Sequence, residues 1–82
     1  MITREFTTAI DLEARIAALF VQSANKFSSR LLIRRDNMEV NCKSIMGVVS
    51  MSIREGQKVT ITAMGPDENE AAASLVKMLA ES

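Results

Sequence analysis

The sequence predicts an α+β fold in which three helices cover one face of a four-stranded antiparallel sheet. Residues alternate over three short stretches, a fourth is the apolar run Leu31-Leu32-Ile33, and apolar residues recur at helical spacing over three others, in the order strand, helix, strand, strand, helix, strand, helix. Helices in such a mixture pack most economically on a single face of the sheet. A chain of 82 residues buries little more than about 60% of its unfolded surface, too little to divide between two cores. Residues 1–82 are therefore expected to form one domain.

Each element has its own signal. Ile2, Arg4, Phe6 and Thr8 alternate with Thr3, Glu5 and Thr7, a strand pattern. Ala14, Ala17, Phe20, Val21 and Ala24 make one stripe, which predicts a helix with a single apolar face. Leu31-Leu32-Ile33 and Met38 to Cys42 predict two strands joined through Arg34-Arg35-Asp36-Asn37. Asp36-Asn37 is the expected turn, because both residue types tolerate left-handed backbone. Ser44 precedes the apolar run Ile45, Met46, Val48, Val49, Met51 and Ile53. A serine hydroxyl there accepts a free backbone N–H, so Ser44 is expected to cap a short helix closed by Arg54-Glu55-Gly56. Val48 and Met51, three residues apart, are expected in the core. Lys58 to Ala63 alternates most cleanly, and Gly65-Pro66 ends that strand, since the residue before a proline is pushed away from helical angles. Asp67 and Glu70 have the spacing of a capping box and open a last helix with the stripe Ala72, Leu75, Val76 and Leu79.

Composition removes several classes of function. Ten basic and ten acidic side chains cancel, and the aromatic residues are three Phe with no Trp or Tyr. The chain thus lacks both the basic face and the stacking rings that direct nucleic-acid binding needs. No segment approaches the roughly 18 apolar residues of a membrane span. Met1 to Phe6 has no apolar stretch of the secretory type, so a cytoplasmic location is expected. A lone cysteine, Cys42, forms neither an internal disulfide nor, by itself, a metal site. At the end of a strand pattern it is expected as a small buried hydrophobe rather than a redox group. Neither cofactor, metal nor enzymatic activity is expected.

The most specific signal lies in Val40 to Ser50. Lys43-Ser44-Ile45-Met46-Gly47-Val48 resembles the regulatory-serine motif of the HPr family, the small phosphocarriers of the bacterial sugar phosphotransferase system, in its Gram-positive form. Gly65-Pro66-Asp67-Glu68-Asn69-Glu70 is similar to the stretch ahead of the last HPr helix. The element order is that of the HPr open-faced sandwich, βαββαβα, over essentially the whole chain. One family landmark differs. HPr proteins carry Gly-x-His-x-Arg-Pro ahead of the first helix, and the aligned stretch here is Asp11-Leu12-Glu13-Ala14-Arg15-Ile16. Glu13 takes the place of the phosphoryl-accepting histidine, Asp11 and Ile16 replace the glycine and the proline, and Arg15 is retained. The chain contains no histidine at all. It most resembles the catabolite-repression HPr (Crh) branch, which lacks that histidine and carries glutamine where this chain has glutamate.

The resemblance implies a regulatory protein of the phosphotransferase system and of carbon catabolite repression. In Gram-positive relatives the serine at the place of Ser44 is phosphorylated by an ATP-dependent HPr kinase/phosphorylase. The phosphoseryl protein then acts as corepressor for the catabolite control protein, a LacI-type repressor. The resemblance also implies other phosphotransferase-system proteins as partners, and an exposed face made by Arg15, Lys43, Ser44, Ile45, Met46 and Val49. In the family, phosphate passes from phosphoenolpyruvate through Enzyme I to the histidine. A carboxylate is a weaker nucleophile than imidazole and would form an acyl phosphate. Glu13 is thus open to three readings: an unorthodox phosphoryl acceptor, a fixed charge that partly imitates a charged loop, or a solvated carboxylate near a helix start. An unmodified HPr-like scaffold is the remaining alternative for the whole chain.

Overall fold

The computed structural model of the chain describes residues 1–80. Its elements are β1 (Ile2–Thr7), α1 (Ala14–Ala24), β2 (Arg30–Arg35), β3 (Met38–Asn41), α2 (Ile45–Ser50), β4 (Lys58–Met64) and α3 (Glu68–Ala80). The four strands form one sheet in the spatial order β1-β4-β2-β3, with every neighbouring pair antiparallel. The cleanly alternating β4 is an interior strand. It pairs with β1 from Ile2↔Ala63 to Thr7↔Lys58 and with β2 from Arg30↔Met64 to Arg34↔Thr60.

Because side chains alternate along a strand, this register sends Val59, Ile61 and Ala63 of β4 and Leu31 and Ile33 of β2 to the covered face, where all five are buried. Thr3, Glu5, Arg34, Glu39, Lys58, Thr60 and Thr62 line a shallow polar basin on the opposite face. The helices complete the core with Ala17, Phe20 and Ala24 from α1, Val48 from α2, and Ala71, Ala72, Leu75 and Leu79 from α3. Each large apolar side chain so enclosed stabilises the fold by about 1.5–3 kcal/mol. Asp36 adopts φ 55° in the turn between Arg35 and its partner Met38, so the hairpin closes where the Asp-Asn pair predicts.

Several details depart from the sequence pattern. Val21 and Val76 pack only at the margin of the core. The strand ending at Cys42 stops instead at Asn41, and Cys42 is fully buried within a turn. The expected Asp67–Glu70 capping box does not form. The Asp67 carboxylate turns away from α3 and accepts from the backbone N–H groups of Ser28 and Ser29, both at 2.9 Å, and from the Ser29 hydroxyl. Glu68 makes the reach-back, its Oε1 accepting from the Gly65 N–H at 3.0 Å. One carboxylate at Asp67 thereby serves two loop donors and a buried hydroxyl, more than a helix cap would give it. Gly65 is required beside this cluster. Its φ is +149°, and a Cβ there would lie 2.6 Å from the Ser29 Oγ.

Candidate functional site

The segment around Ser44 is built by local hydrogen bonds. As β3 ends, the Asn41 side-chain oxygen accepts from the Lys43 N–H at 2.8 Å and the Asn41 carbonyl accepts from the Ser44 N–H at 3.0 Å. The chain then turns into α2 with Ser44 extended at φ −106° and ψ 109°. The Ser44 Oγ accepts from the Gly47 N–H at 3.2 Å, which is the N-cap that the sequence predicts. Accepting uses a lone pair of Oγ and leaves its O–H free. Gly47 makes room for this arrangement, since a Cβ there would lie 3.2 Å from both Ser44 Oγ and Val40 Cβ.

The far end of α2 is held from another direction. The Arg35 guanidinium, at the end of β2, donates from Nη2 to the Met51 carbonyl at 2.6 Å. A cation placed on the last carbonyls of a helix also answers its dipole. The Arg35 Nε is buried without a partner among the described residues.

Pinned at both ends, α2 buries Val48, and Met51 follows it into the core. A helix of six residues buries one face, so the opposite arc is left to solvent. Ile45 is 40% exposed, Met46 79% and Val49 40%. Leu19 of α1, at 46%, is a further exposed apolar side chain that the sequence pattern did not single out. Its place within a run of helical apolar residues hides the fact that it misses the buried stripe. Lys43 is half-buried and spends its ammonium within the chain, donating to the Phe27 carbonyl at 2.7 Å.

The start of α1 forms the other part of the site. Glu13 is its N-cap residue, extended at φ −73° and ψ 172°, and its side chain makes no capping hydrogen bond. Glu13 and Arg15 are both exposed. Residues two apart on a helix do not face each other, and the only ion pair among the described residues joins the Met1 amine to Glu68. Two bonds tie the approach to α1 to the exit of α2. The Leu12 N–H donates to the Ile53 carbonyl at 2.8 Å, and the Glu55 N–H donates to the Asp11 carboxylate at 2.8 Å. Between these segments lies a cleft of about 250 Å³ lined by Asp11, Leu12, Glu13, Ala14, Val49, Ser52, Ile53 and Arg54. Glu13 thus shares its surroundings with the end of α2. Ser44 stands at the other end of that helix, about 9 Å away along its axis at 1.5 Å per residue.

Cys42, two residues before Ser44, takes no part in this surface. Burial pushes its thiol up to about 12, far from the range of a reactive thiolate. No helix among the described residues is long and apolar enough to cross a membrane.

The family model described as "PTS HPr component phosphorylation site" matches residues 3–81. The chain belongs to the HPr family. Among its HPr relatives, the HPr-like protein Crh of Halalkalibacterium halodurans is 47% identical over 68 residues, covering 83% of this chain and 81% of the relative. Crh of Bacillus subtilis is 47% identical over 70 residues, covering 85% and 82%. The crystal structure of the phosphocarrier protein HPr from Bacillus anthracis superposes with a TM-score of 0.91 at 40% identity, covering 95% of each chain. The βαββαβα order and the antiparallel sheet are therefore those of HPr proteins. Kinship with Crh and HPr places the chain among proteins of the phosphotransferase system and catabolite repression.

Proposed function

We propose that this HPr-family protein is a regulatory member that has left the phosphoryl relay and is switched by phosphorylation of Ser44. The observation that carries the reading is the setting of Ser44, an exposed hydroxyl with a free O–H at one end of a helix whose outer arc is the apolar patch Ile45, Met46 and Val49. HPr kinase/phosphorylase would transfer the ATP γ-phosphoryl group to Ser44 Oγ, with the hydroxyl proton passing to a base of the kinase. The added phosphate carries about −1.5 to −2 charges and three acceptor oxygens. An arginine or lysine cluster on a partner reads such a group through charge-assisted hydrogen bonds. The partner is a LacI-type catabolite control protein, which docks on Arg15, phosphorylated Ser44, Ile45, Met46 and Val49. Lys43 supports the face indirectly, since its ammonium is held by Phe27.

The relay is lost because position 13 holds a carboxylate. Glutamate forms no phosphoramidate, and an acyl phosphate at Glu13 would have a different geometry from phosphohistidine. The protein is thus regulatory rather than catalytic, and acts in the cytoplasm beside its ATP-dependent kinase.

The test is intact mass after incubation with HPr kinase/phosphorylase and ATP, beside a parallel tube with Enzyme I and phosphoenolpyruvate. One phosphate in the kinase tube alone, mapped to Ser44 and absent from Ser44→Ala, is the expected outcome. An unmodified mass in the kinase tube removes the switch. A hydroxylamine-sensitive label on Glu13 in the other tube would make the protein an unorthodox carrier.

A further inference from the structure

We propose that Met46 is an oxidation site: a peroxide converts its thioether to the sulfoxide, and the oxygen so placed closes the outer face of α2 to partners. The effect on docking rests on the reading above, whereas the oxidation itself requires neither a partner nor a phosphate on Ser44.

The chain holds one cysteine and six methionines, and the fold sorts them by access. Cys42 and Met51 are fully buried, Met64 and Met78 are half-buried, and Met38 at the start of β3 is 37% exposed. Met46 and Met1 stand at 79% each. Met1 lies elsewhere, its amine on Glu68 of α3 at 3.0 Å. Met46 is therefore the open sulfur of the Ser44 face. Its exposure follows from its place in the helix: at 3.6 residues per turn it lies about 200° round α2 from the buried Val48. Val49, three residues on, is its neighbour on the helix surface, and Ile45 lies one turn before Val49. The thioether is the most prominent part of that apolar patch.

With hydrogen peroxide the step balances without any further group. A sulfur lone pair attacks one peroxide oxygen, the S–O bond forms as the O–O bond breaks, and the leaving hydroxide takes the proton shed by the transferred oxygen to become water. Sulfur loses two electrons and the peroxide gains them. A thioether is flexible and apolar, which suits it to a partner's apolar surface, whereas a sulfoxide is polar and chiral. Docking would then bury an oxygen that needs a hydrogen-bond donor. The fold should not respond, because Met46 is no part of the core cluster. Methionine sulfoxide reductases reverse the product.

The test treats wild type and Met46→Leu with dilute hydrogen peroxide and maps the added oxygen by peptide mass. Leucine keeps the apolar bulk and cannot take the oxygen. In folded wild type, Met46 should oxidise well ahead of Met51, and a Met46 that oxidises no faster than Met51 overturns the site. On a phenyl column, oxidised wild type should lose more retention than oxidised Met46→Leu, in which Met1 is modified too. Equal losses overturn the change in the face. Protein phosphorylated at Ser44 before peroxide should bind the catabolite control protein about tenfold more weakly once oxidised, the size expected when a methionine side chain no longer hides apolar surface. Met46→Leu should bind equally before and after, and reductase should restore wild type. Undiminished binding by oxidised wild type overturns the closing of the face. A Ser44 that takes no phosphate shows in the kinase tube before peroxide is added and counts against the docking reading, while the mapped oxygen and the column still decide the site.

Discussion

At the scale of single residues, Gly47 sets how Ser44 is presented. Alanine is the better helix former by up to about 1 kcal/mol. A Cβ at position 47, however, would crowd Ser44 Oγ and Val40 Cβ at 3.2 Å each. Moving the Ser44 hydroxyl aside weakens a cap worth about 1 kcal/mol. The two effects oppose each other at similar size, so Gly47→Ala should change unfolding free energy in urea by less than about 1 kcal/mol. It should nonetheless slow phosphorylation of Ser44, because the nucleophilic oxygen is displaced. A kinase rate equal to wild type would show that the glycine serves the helix and not the hydroxyl. The cap was legible in the sequence because a serine ahead of an apolar run has one dominant local use. Leu12 was not, since it lies between Asp11 and Glu13, outside any periodic stripe, and only the fold reveals that it is buried.

At the scale of elements, α2 is too short to persist on its own, because isolated helices of this length are unstable in water. It depends on its two ends. Ser44 holds one and Arg35, sixteen residues from its acceptor Met51, holds the other. Arg35→Met keeps most of the stem and removes the charged donor, so it should cost about 1–2 kcal/mol, somewhat less than a full charge-assisted bond because a buried unpartnered Nε disappears as well. Hydrogen exchange should rise at the amides of Met51 and Ser52, which donate to Val48 and Val49, while those of β4 change only by the global loss. Exchange that rises uniformly would deny Arg35 this local role. Nothing in the sequence pairs Arg35 with Met51, since neither periodicity nor spacing reports a contact between a strand end and a helix end. Asp67 is the opposite case. Its spacing from Glu70 reads as a capping box, yet spacing does not say where a carboxylate points, and the Ser28-Ser29 loop offers it better donors.

At the scale of the whole molecule, that same carboxylate joins the loop after α1 to the loop after β4. Its bonds to the Ser29 hydroxyl and to the Ser28 N–H hold its pKa down, from the ordinary 3.8 to about 2. A carboxyl lowered on folding contributes stability that is complete above the unfolded value and is lost as pH falls through the folded one. Wild type should therefore exceed Asp67→Asn in urea resistance at neutral pH, with the gap closing between pH 3.8 and about 2. A gap that stays constant to pH 2 would mean that the hydrogen bonds do not depend on the charge. The overall architecture was far more legible than this link. Four strand stretches and three helical stripes specify which faces must be hidden, and few arrangements of seven elements hide them all.

The order of the strands in space also dictates an order in time. β1 is made first, but its only neighbour in the sheet is β4, more than fifty residues later, and β2 likewise waits for β4 on one side. While the chain emerges from the ribosome, the β2–β3 hairpin is the one strand pair that can close early. The rest of the sheet assembles around β4 in a late, long-range step, the kind of closure whose entropic cost must be met before its contacts form and which slows folding.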